Sequence, residues 1–280
     1  MLNKVTRYLR CPHCAGSLDL RNRALACADG HSFDVAKQGY VNLLTGTVKL
    51  SADTREMVDA RAEFLAEGHY EGLAEAVAEL SRKTVDPSLP GCVVDVGGGT
   101  GYYLARVLDE LPDSEGVLLD ISKFAARRAA RAHPRIGAVV ADAWQSLPLH
   151  DDSVSLVLNV FAPRNAADVR RVLDPQGVLL VVTPRHDHLQ ELVGTVGLMR
   201  VDQRKEERLA ERLAPHFSPA ESRPLTTTMT LGHRAMNLLV GMGPNAWHQE
   251  PSGLLERIGR LPERCDVTVS VMVTAYRPLP

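Results

Sequence analysis

The second half of the chain alternates short apolar runs with segments of helical period. Cys92–Val96, Gly116–Asp120, Ile136–Ala141, Val154–Val160 and Gly177–Thr183 are continuously apolar rather than alternating, which predicts strands buried on both faces of a parallel sheet. Tyr102–Leu111 and Lys123–Ala132 carry the helical spacing between them. Upstream, Met57, Ala60, Ala62, Phe64 and Leu65 predict a helix capped by Ser51 or Asp53. Gly68-His69-Tyr70 interrupts it, and a second Ala/Leu-rich helix runs to the breaker Asp86–Pro90. These two helices are expected to join the N-terminal part to the body and cover its first strand. Beyond the fifth strand the pattern predicts helices near Leu189–Leu198 and Lys205–Leu213, a strand near Leu225–Leu231, a helix plus loop over Arg234–His248, and a terminal strand over Val267–Tyr276. A lid over a site belongs, if anywhere, in residues 200–250.

The first forty residues follow a different logic. Apolar positions around Leu9, Leu18–Leu20 and Leu25 alternate with turn-forming residues, suggesting hairpins too small to build a core unaided. The spacing Cys11-x2-Cys14-x12-Cys27-x3-His31 supplies four soft ligands suited to tetrahedral zinc, with Pro12 and Gly30 favouring the tight turns. A full ligand set leaves no open position, so one structural zinc per chain is expected. His13 is an alternative ligand, expected to face solvent. Phe33-Asp34-Val35 lacks the apolar helix and second histidine of a DNA-binding finger.

Composition adds boundaries. A chain of 280 residues, 45% hydrophobic and 24% charged, accommodates one substantial core and a minor module. The first residues lack the apolar run of a signal peptide and no stretch is apolar enough to span a membrane. Cys92 and Cys265 lie apart from the cluster, in apolar runs, which suits a reducing, cytoplasmic setting. Net charge is only −2, but residues 1–50 hold seven Lys/Arg against three acids. With a metal and three thiolates counted, this part keeps about +3. Arg7, Arg10, Arg23 and Lys37 of this surface, with Lys49, Arg55 and Arg61 in or beside the linking segment, are candidate phosphate contacts.

The run Asp95-Val96-Gly97-Gly98-Gly99-Thr100-Gly101-Tyr102 follows a buried strand, where glycines let a ligand approach the backbone. No Gly-Lys-Ser/Thr follows, which argues against a phosphate loop. Asp95 would repel a pyrophosphate but can hold a cationic amino group. Asp120 ends the next strand, where a carboxylate meets ribose hydroxyls, and Asp142-Ala143 follows the third, where an acid meets an adenine amine. Three acids after successive strands match a nucleoside without phosphates, S-adenosylmethionine, and the constellation resembles the class I methyltransferase pattern. The fold class expected is thus α/β, a class I (Rossmann-like) methyltransferase parallel-sheet core with a small N-terminal zinc-binding module.

Asn159-Val160-Phe161-Ala162-Pro163-Arg164 follows the fourth strand and should face the transferred methyl. Asn159 is placed at a base edge, Phe161 as a stacking ring, Pro163 as a stiffener and Arg164 as a phosphate or substrate contact. No cysteine occurs there or in Thr183–Leu189, which argues against a covalent 5-methylpyrimidine mechanism. His186 and His188 in that second loop can orient a base, cap the next helix, or titrate near neutrality.

Taken together, Cys11-Pro12-x-Cys14, Cys27-x-x-Gly30-His31-x-Phe33-Asp34, Lys37-x-Gly39-Tyr40-Val41-Asn42-Leu43-Leu44, Asp53-x-x-x-Met57-x-x-Ala60-Arg61-x-x-Phe64-Leu65-x-x-Gly68-His69-Tyr70, the glycine loop, Phe161-Ala162-Pro163, His188-Leu189-x-Glu191-Leu192 and Met242-x-Pro244-x-Ala246-Trp247 resemble the 23S ribosomal RNA (guanine-N1-)-methyltransferases over nearly the whole chain. The resemblance implies methyl transfer from S-adenosylmethionine to a guanine N1 in a domain II hairpin loop, a zinc module that grips the RNA, and a homodimer. Asn159–Asn165 is closer to the branch associated with resistance to tylosin-type macrolides. The implied organisation is a zinc-binding RNA-recognition module at 1–45, a helical linking segment at 46–90 and a methyltransferase domain at 91–280. Two rivals stay open: a small-molecule methyltransferase of antibiotic biosynthesis, and a zinc-containing nucleic-acid-binding or regulatory protein with a spent cofactor fold.

Overall fold

The computed structural model describes residues 2–46, 52–89, 91–196, 198, 204–243 and 251–280. Its first element is a short helix α1 (Leu2–Val5), followed by a 3-10 turn. Strands β1 (Asp19–Arg21), β2 (Ala24–Ala26) and β3 (Ser32–Asp34) form a three-stranded antiparallel sheet. Asn22 and Arg23, both at positive φ, make the two-residue turn that joins β1 to β2. After β4 (Val41–Asn42) come the helices α2 (Arg55–Ala66) and α3 (Glu71–Thr84). The cap of α2 is Thr54, whose hydroxyl accepts the Met57 N–H, rather than Asp53; Ser51 lies outside the described residues. Asp53 is drawn away by an ion pair with Arg61, a stronger partner than a backbone amide.

The body then runs β5 (Cys92–Val96), α4 (Tyr102–Glu110), β6 (Glu115–Asp120), α5 (Lys123–Ala129), β7 (Ile136–Val140), β8 (Val154–Val160), α6 (Ala166–Val172) and β9 (Leu173–Pro184). It finishes with α7 (Gln190–Val196), α8 (Lys205–Leu213), β10 (Phe217–Gly232), α9 (His233–Gly241), α10 (Pro251–Gly259) and β11 (Arg264–Pro278). One eight-stranded sheet has the order β10-β11-β9-β8-β5-β6-β7-β4. Strands β4 through β9 pair in parallel and β11 returns antiparallel between β9 and β10. The last two strands are longer than their apolar segments predict, because β10 and β11 are each other's partners over most of their length and β10 has a polar, solvent-facing edge. Helices α6 and α10 are not predicted by the sequence pattern.

Each face of the sheet carries a core. One gathers α2, α3, α4 and α9 over Val93, Leu118 and Leu158. The other sets Val5, Leu9, Leu18 and Leu25 of the N-terminal part against Val94, Val117 and Val139. Each fully buried aliphatic side chain there contributes about 1.5–3 kcal/mol. Contact is close: a Cβ on Gly137 would lie 2.2 Å from Val5 Cγ2. Leu9 bridges Leu149, and the Arg10 N–H donates to the Pro148 carbonyl. β4 adds Val41 and Asn42 alongside Val139 and Val140, so the N-terminal part also supplies the outer strand of the main sheet. Among the described residues no helix is long and apolar enough to cross a membrane.

Candidate functional site

Cys11, Cys14, Cys27 and His31 converge from two turns, their ligand atoms all within 4.8 Å of one another. Cys14 Sγ is 3.6 Å from Cys27 Sγ, which is 3.3 Å from His31 Nδ1. Ligands about 2.3 Å from a tetrahedral zinc stand about 3.7 Å apart, so the set fits that metal. The turns hold themselves: Ala15 N–H donates to Cys11 O, and Gly30 N–H to Cys27 O. His13 is exposed and stacks on Phe33 with ring centroids 5.9 Å apart, outside the ligand set.

A cavity of about 560 Å³ opens at the C-terminal ends of β5 to β9. Asp95 forms its floor: it is 1% exposed and neither carboxylate oxygen has a partner. Burial, assisted by the charge of Asp120, pushes its pKa up to about 8. The glycines above it are required by space, since a Cβ on Gly98 would stand 2.6 Å from the Asp95 carboxylate and one on Gly97 2.7 Å from Ala162 Cβ. Asp120 accepts the Gly99 and Ser122 N–H groups at 2.9 and 2.8 Å, which fixes the loop; burial raises its pKa against those amides. Asp142 accepts the Trp144 N–H with one oxygen. Gly97, Gly99, Thr100, Tyr102, Asp142 and Ala143 all line the cavity, whereas Gly101 does not. Gly101 precedes α4 at φ +83°, and a Cβ there would press on Ala132 at 3.1 Å, so conformation and packing both require glycine.

Two rings, Phe161 and His188, stand at the mouth, with the buried Tyr70 behind them. Phe161, 41% exposed and strained at φ +54°, has its centroid 5.8 Å from His188 and 6.4 Å from Tyr70. A bulky residue in the left-handed region is costly, so the packing around it must hold it there. His188 Nδ1 accepts the Ser270 N–H at 3.1 Å, while His186 is exposed beside Asp187 and does not line the cavity. Pro163 lines the mouth. Asn159 is buried in β8, outside the cavity lining; its Nδ2 donates to the Pro163 carbonyl at 2.9 Å and its Oδ1 has no partner. Inward orientation on a central strand makes it a brace for the loop. Arg164 is likewise turned in, donating to Ala162 O, and burial holds its pKa below arginine's ordinary value.

The basic candidates separate. Arg7 pairs with Glu115, and Arg10 with Asp151 and Ser146, so both tie the N-terminal part to the body. Arg61 belongs to the cavity, paired with Asp53 and donating to Met242 O at 2.7 Å. Arg55 sits over the Phe124 ring. Arg23 and Lys37 are exposed on the zinc module, with no ion pair among the described residues. Lys49 lies outside the described residues, as do Pro244, Ala246 and Trp247 of the late motif. Sequence reasoning assigned no site role to Leu65, Tyr70, Tyr103 and Trp144, which also line the cavity. For Tyr70 the signal was present in the Gly68–Tyr70 interruption, which brings the ring back from α2.

Residues 9–52 match the family model described as RlmA, N-terminal, a zinc ribbon, and residues 93–177 match a methyltransferase domain. The chain is 56% identical over 280 residues, 100% of both chains, to the 23S rRNA (guanine(748)-N(1))-methyltransferase of Streptomyces fradiae. A Micromonospora griseorubida relative named for the same class of reaction is 48% identical over 288 residues, covering 97% of this chain and 98% of its own. Among solved structures, the MccD protein is similar in fold alone, at 15% identity and a TM-score of 0.50 over 72% of this chain and 96% of that one.

Proposed function

We infer that this chain, which belongs to the 23S rRNA (guanine-N1-)-methyltransferase family, transfers a methyl group from S-adenosylmethionine to N1 of a guanine in a domain II hairpin loop of 23S rRNA. The target proposed is the guanine equivalent to 748, after the Streptomyces relative. The observation that carries the donor site is Asp95, a buried carboxylate with two unpartnered oxygens under a glycine loop. Such a group calls for a cation, and the donor's ammonium supplies one. Asp120 spends one lone pair of each oxygen on an amide and keeps others for ribose hydroxyls. Asp142 keeps one oxygen for an adenine amine. Arg61 is assigned to the donor's carboxylate, with Thr100, Tyr102 and Ala143 completing the walls.

When bound, S-adenosylmethionine brings a methyl already activated by its positive sulfur. Phe161 and Tyr70 are assigned to hold the extruded guanine by stacking, with Asn159 bracing Pro163. Because His188 Nδ1 accepts a backbone amide, its neutral ring carries the proton on Nε2. We therefore assign it as a donor toward guanine O6, where negative charge gathers as N1 loses its proton, and not as the base. The proton leaves to water.

The zinc module, proposed as residues 1–45, presents Arg23 and Lys37 to the RNA; 46–90 links it to catalysis in 91–280. A homodimer in the cytoplasm, where ribosomal substrate is found, and macrolide resistance as the physiological result complete the reading. The cavity's apolar roof, with Leu65, Val193 and Leu239, is what a small-molecule enzyme would share, yet Trp144 and Phe161 stay exposed at the mouth as a macromolecular substrate requires. Mass mapping of unmodified hairpin RNA and ribosomal particles after incubation with protein and donor tests the assignment. One added methyl on the loop guanine, blocking primer extension, is expected. Donor binding without methylation of either RNA would move the small-molecule reading first.

A further inference from the structure

A second groove, of about 740 Å³, lies between α2 and the helices α4 and α5. Its floor is small and apolar, with Val58, Ala62 and Ala105, and its walls are cationic. Arg55, Arg106, Arg127, Arg128 and Arg131 line it against a single carboxylate, Asp59. Asp59 is committed to Arg128, and Arg106 reaches Glu75 at 3.8 Å. Arg127 and Arg131 have no ion pair among the described residues, and Arg55 and Lys123 share one Phe124 ring at 5.0 and 5.3 Å. The chain as a whole is acidic by two charges, so this concentration is local. Gathering like charges costs folding energy unless a polyanion answers them.

The groove shares Leu65, Thr100 and Tyr102 with the donor cavity. We propose that it is a docking track for the phosphodiester backbone of the substrate RNA, laid on the catalytic body and separate from the zinc module. This rests on the RNA reading of the donor site. Guanidiniums suit phosphate by planar, bidentate hydrogen bonding, and a small-residue floor admits a backbone without reading bases. The track would fix the register of the hairpin, leaving sequence to the mouth rings and the zinc module.

The test uses the full chain and a labelled, unmodified domain II hairpin RNA, with binding followed across salt concentrations. Arg127→Gln/Arg131→Gln should raise the RNA Kd and KM by about tenfold at physiological salt and reduce the slope of log K against log salt by about two. kcat and donor affinity should hold, because neither residue lines the donor cavity. Arg127→Lys/Arg131→Lys should recover most of the affinity, which a merely structural defect would not predict. The paired surface variant Arg260→Gln should change nothing. Unchanged Kd and salt slope in the Gln variant would overturn the proposal. If wild-type protein methylated no RNA, the functional reading would fall, while salt-dependent RNA binding weakened by the Gln variant would still support the track.

Discussion

Phe161 and His188 lie with ring centroids 5.8 Å apart and planes 30° from parallel, although one follows β8 and the other follows β9. Neighbouring parallel strands end side by side, so two loops distant in sequence deliver one aromatic wall. Replacing Phe161 with Ala should raise the RNA KM by about ten- to a hundredfold, the worth of one stacked base. Steady-state kinetics with hairpin RNA measure it; an unchanged KM would remove Phe161 from the base site.

His188→Ala should lower kcat by about a hundredfold, the cost of one donor aimed at developing charge. His188→Gln, which keeps an N–H donor, should restore part of that loss. Single-turnover rates decide. Equal loss in both variants would point to shape rather than donation.

Asp95 gives donor binding a definite pH dependence. Its pKa of about 8 in the free protein means that at pH 6 the carboxyl is mostly protonated and must release its proton to meet a cation. Affinity for S-adenosylmethionine should therefore rise from pH 6 toward 8, with proton release visible by calorimetry in buffers of different ionisation enthalpy. The same shift acts on folding with the opposite sense. A carboxyl whose folded pKa exceeds its unfolded value favours the folded state most below the unfolded value, near 4, and that contribution is lost as pH rises through about 8. Asp95→Asn should flatten both profiles. A pH-independent wild-type affinity would contradict the arrangement.

Removing the metal by chelation, or one ligand by Cys14→Ser, should unfasten the turns that seat Leu18 and Leu25 on the sheet. The melting temperature is expected to fall by about 5 °C or more and RNA affinity to drop, with donor binding retained. Calorimetry and RNA titration of the metal-free protein check this. An unchanged melt would show that the packing holds without zinc.

Gly137→Ala places a methyl 2.2 Å from Val5 Cγ2, and should cost about 1–3 kcal/mol through overpacking between α1 and β7. Adding Val5→Ala should return part of it, so the pair is not additive in denaturant melts. Additive losses would mean that the helix simply moves aside.

Much of this was legible because it depends on local pattern. Buried parallel strands are written as unbroken apolar runs, and the metal ligands as a spacing, so both could be read directly. The glycine loop and its acids, which meet in one cavity, are a local pattern of the same kind. What stayed hidden depends on which neighbour a side chain meets. Nothing in the sequence says that Asn159 faces Pro163, that Arg61 turns toward Asp53, or that Arg7 and Arg10 are consumed by Glu115 and Asp151. Tyr70 illustrates the middle ground: its segment stood out, but only the fold carries that ring to His188, 6.5 Å away.

The outer strand Val41–Asn42 bears on how this architecture can be re-engineered. A recognition head strung on a flexible tether can be exchanged by cutting the tether. Here such a cut would strip the catalytic sheet of its last ladder, exposing β7 along the edge that leads to Asp142. Grafting a different head onto this body would thus require keeping residues 41–42 together with the Val5 and Leu9 contacts that cover one face of the sheet. Retargeting is a problem of splicing into a sheet, and inheritance of head and body together is the expected evolutionary outcome.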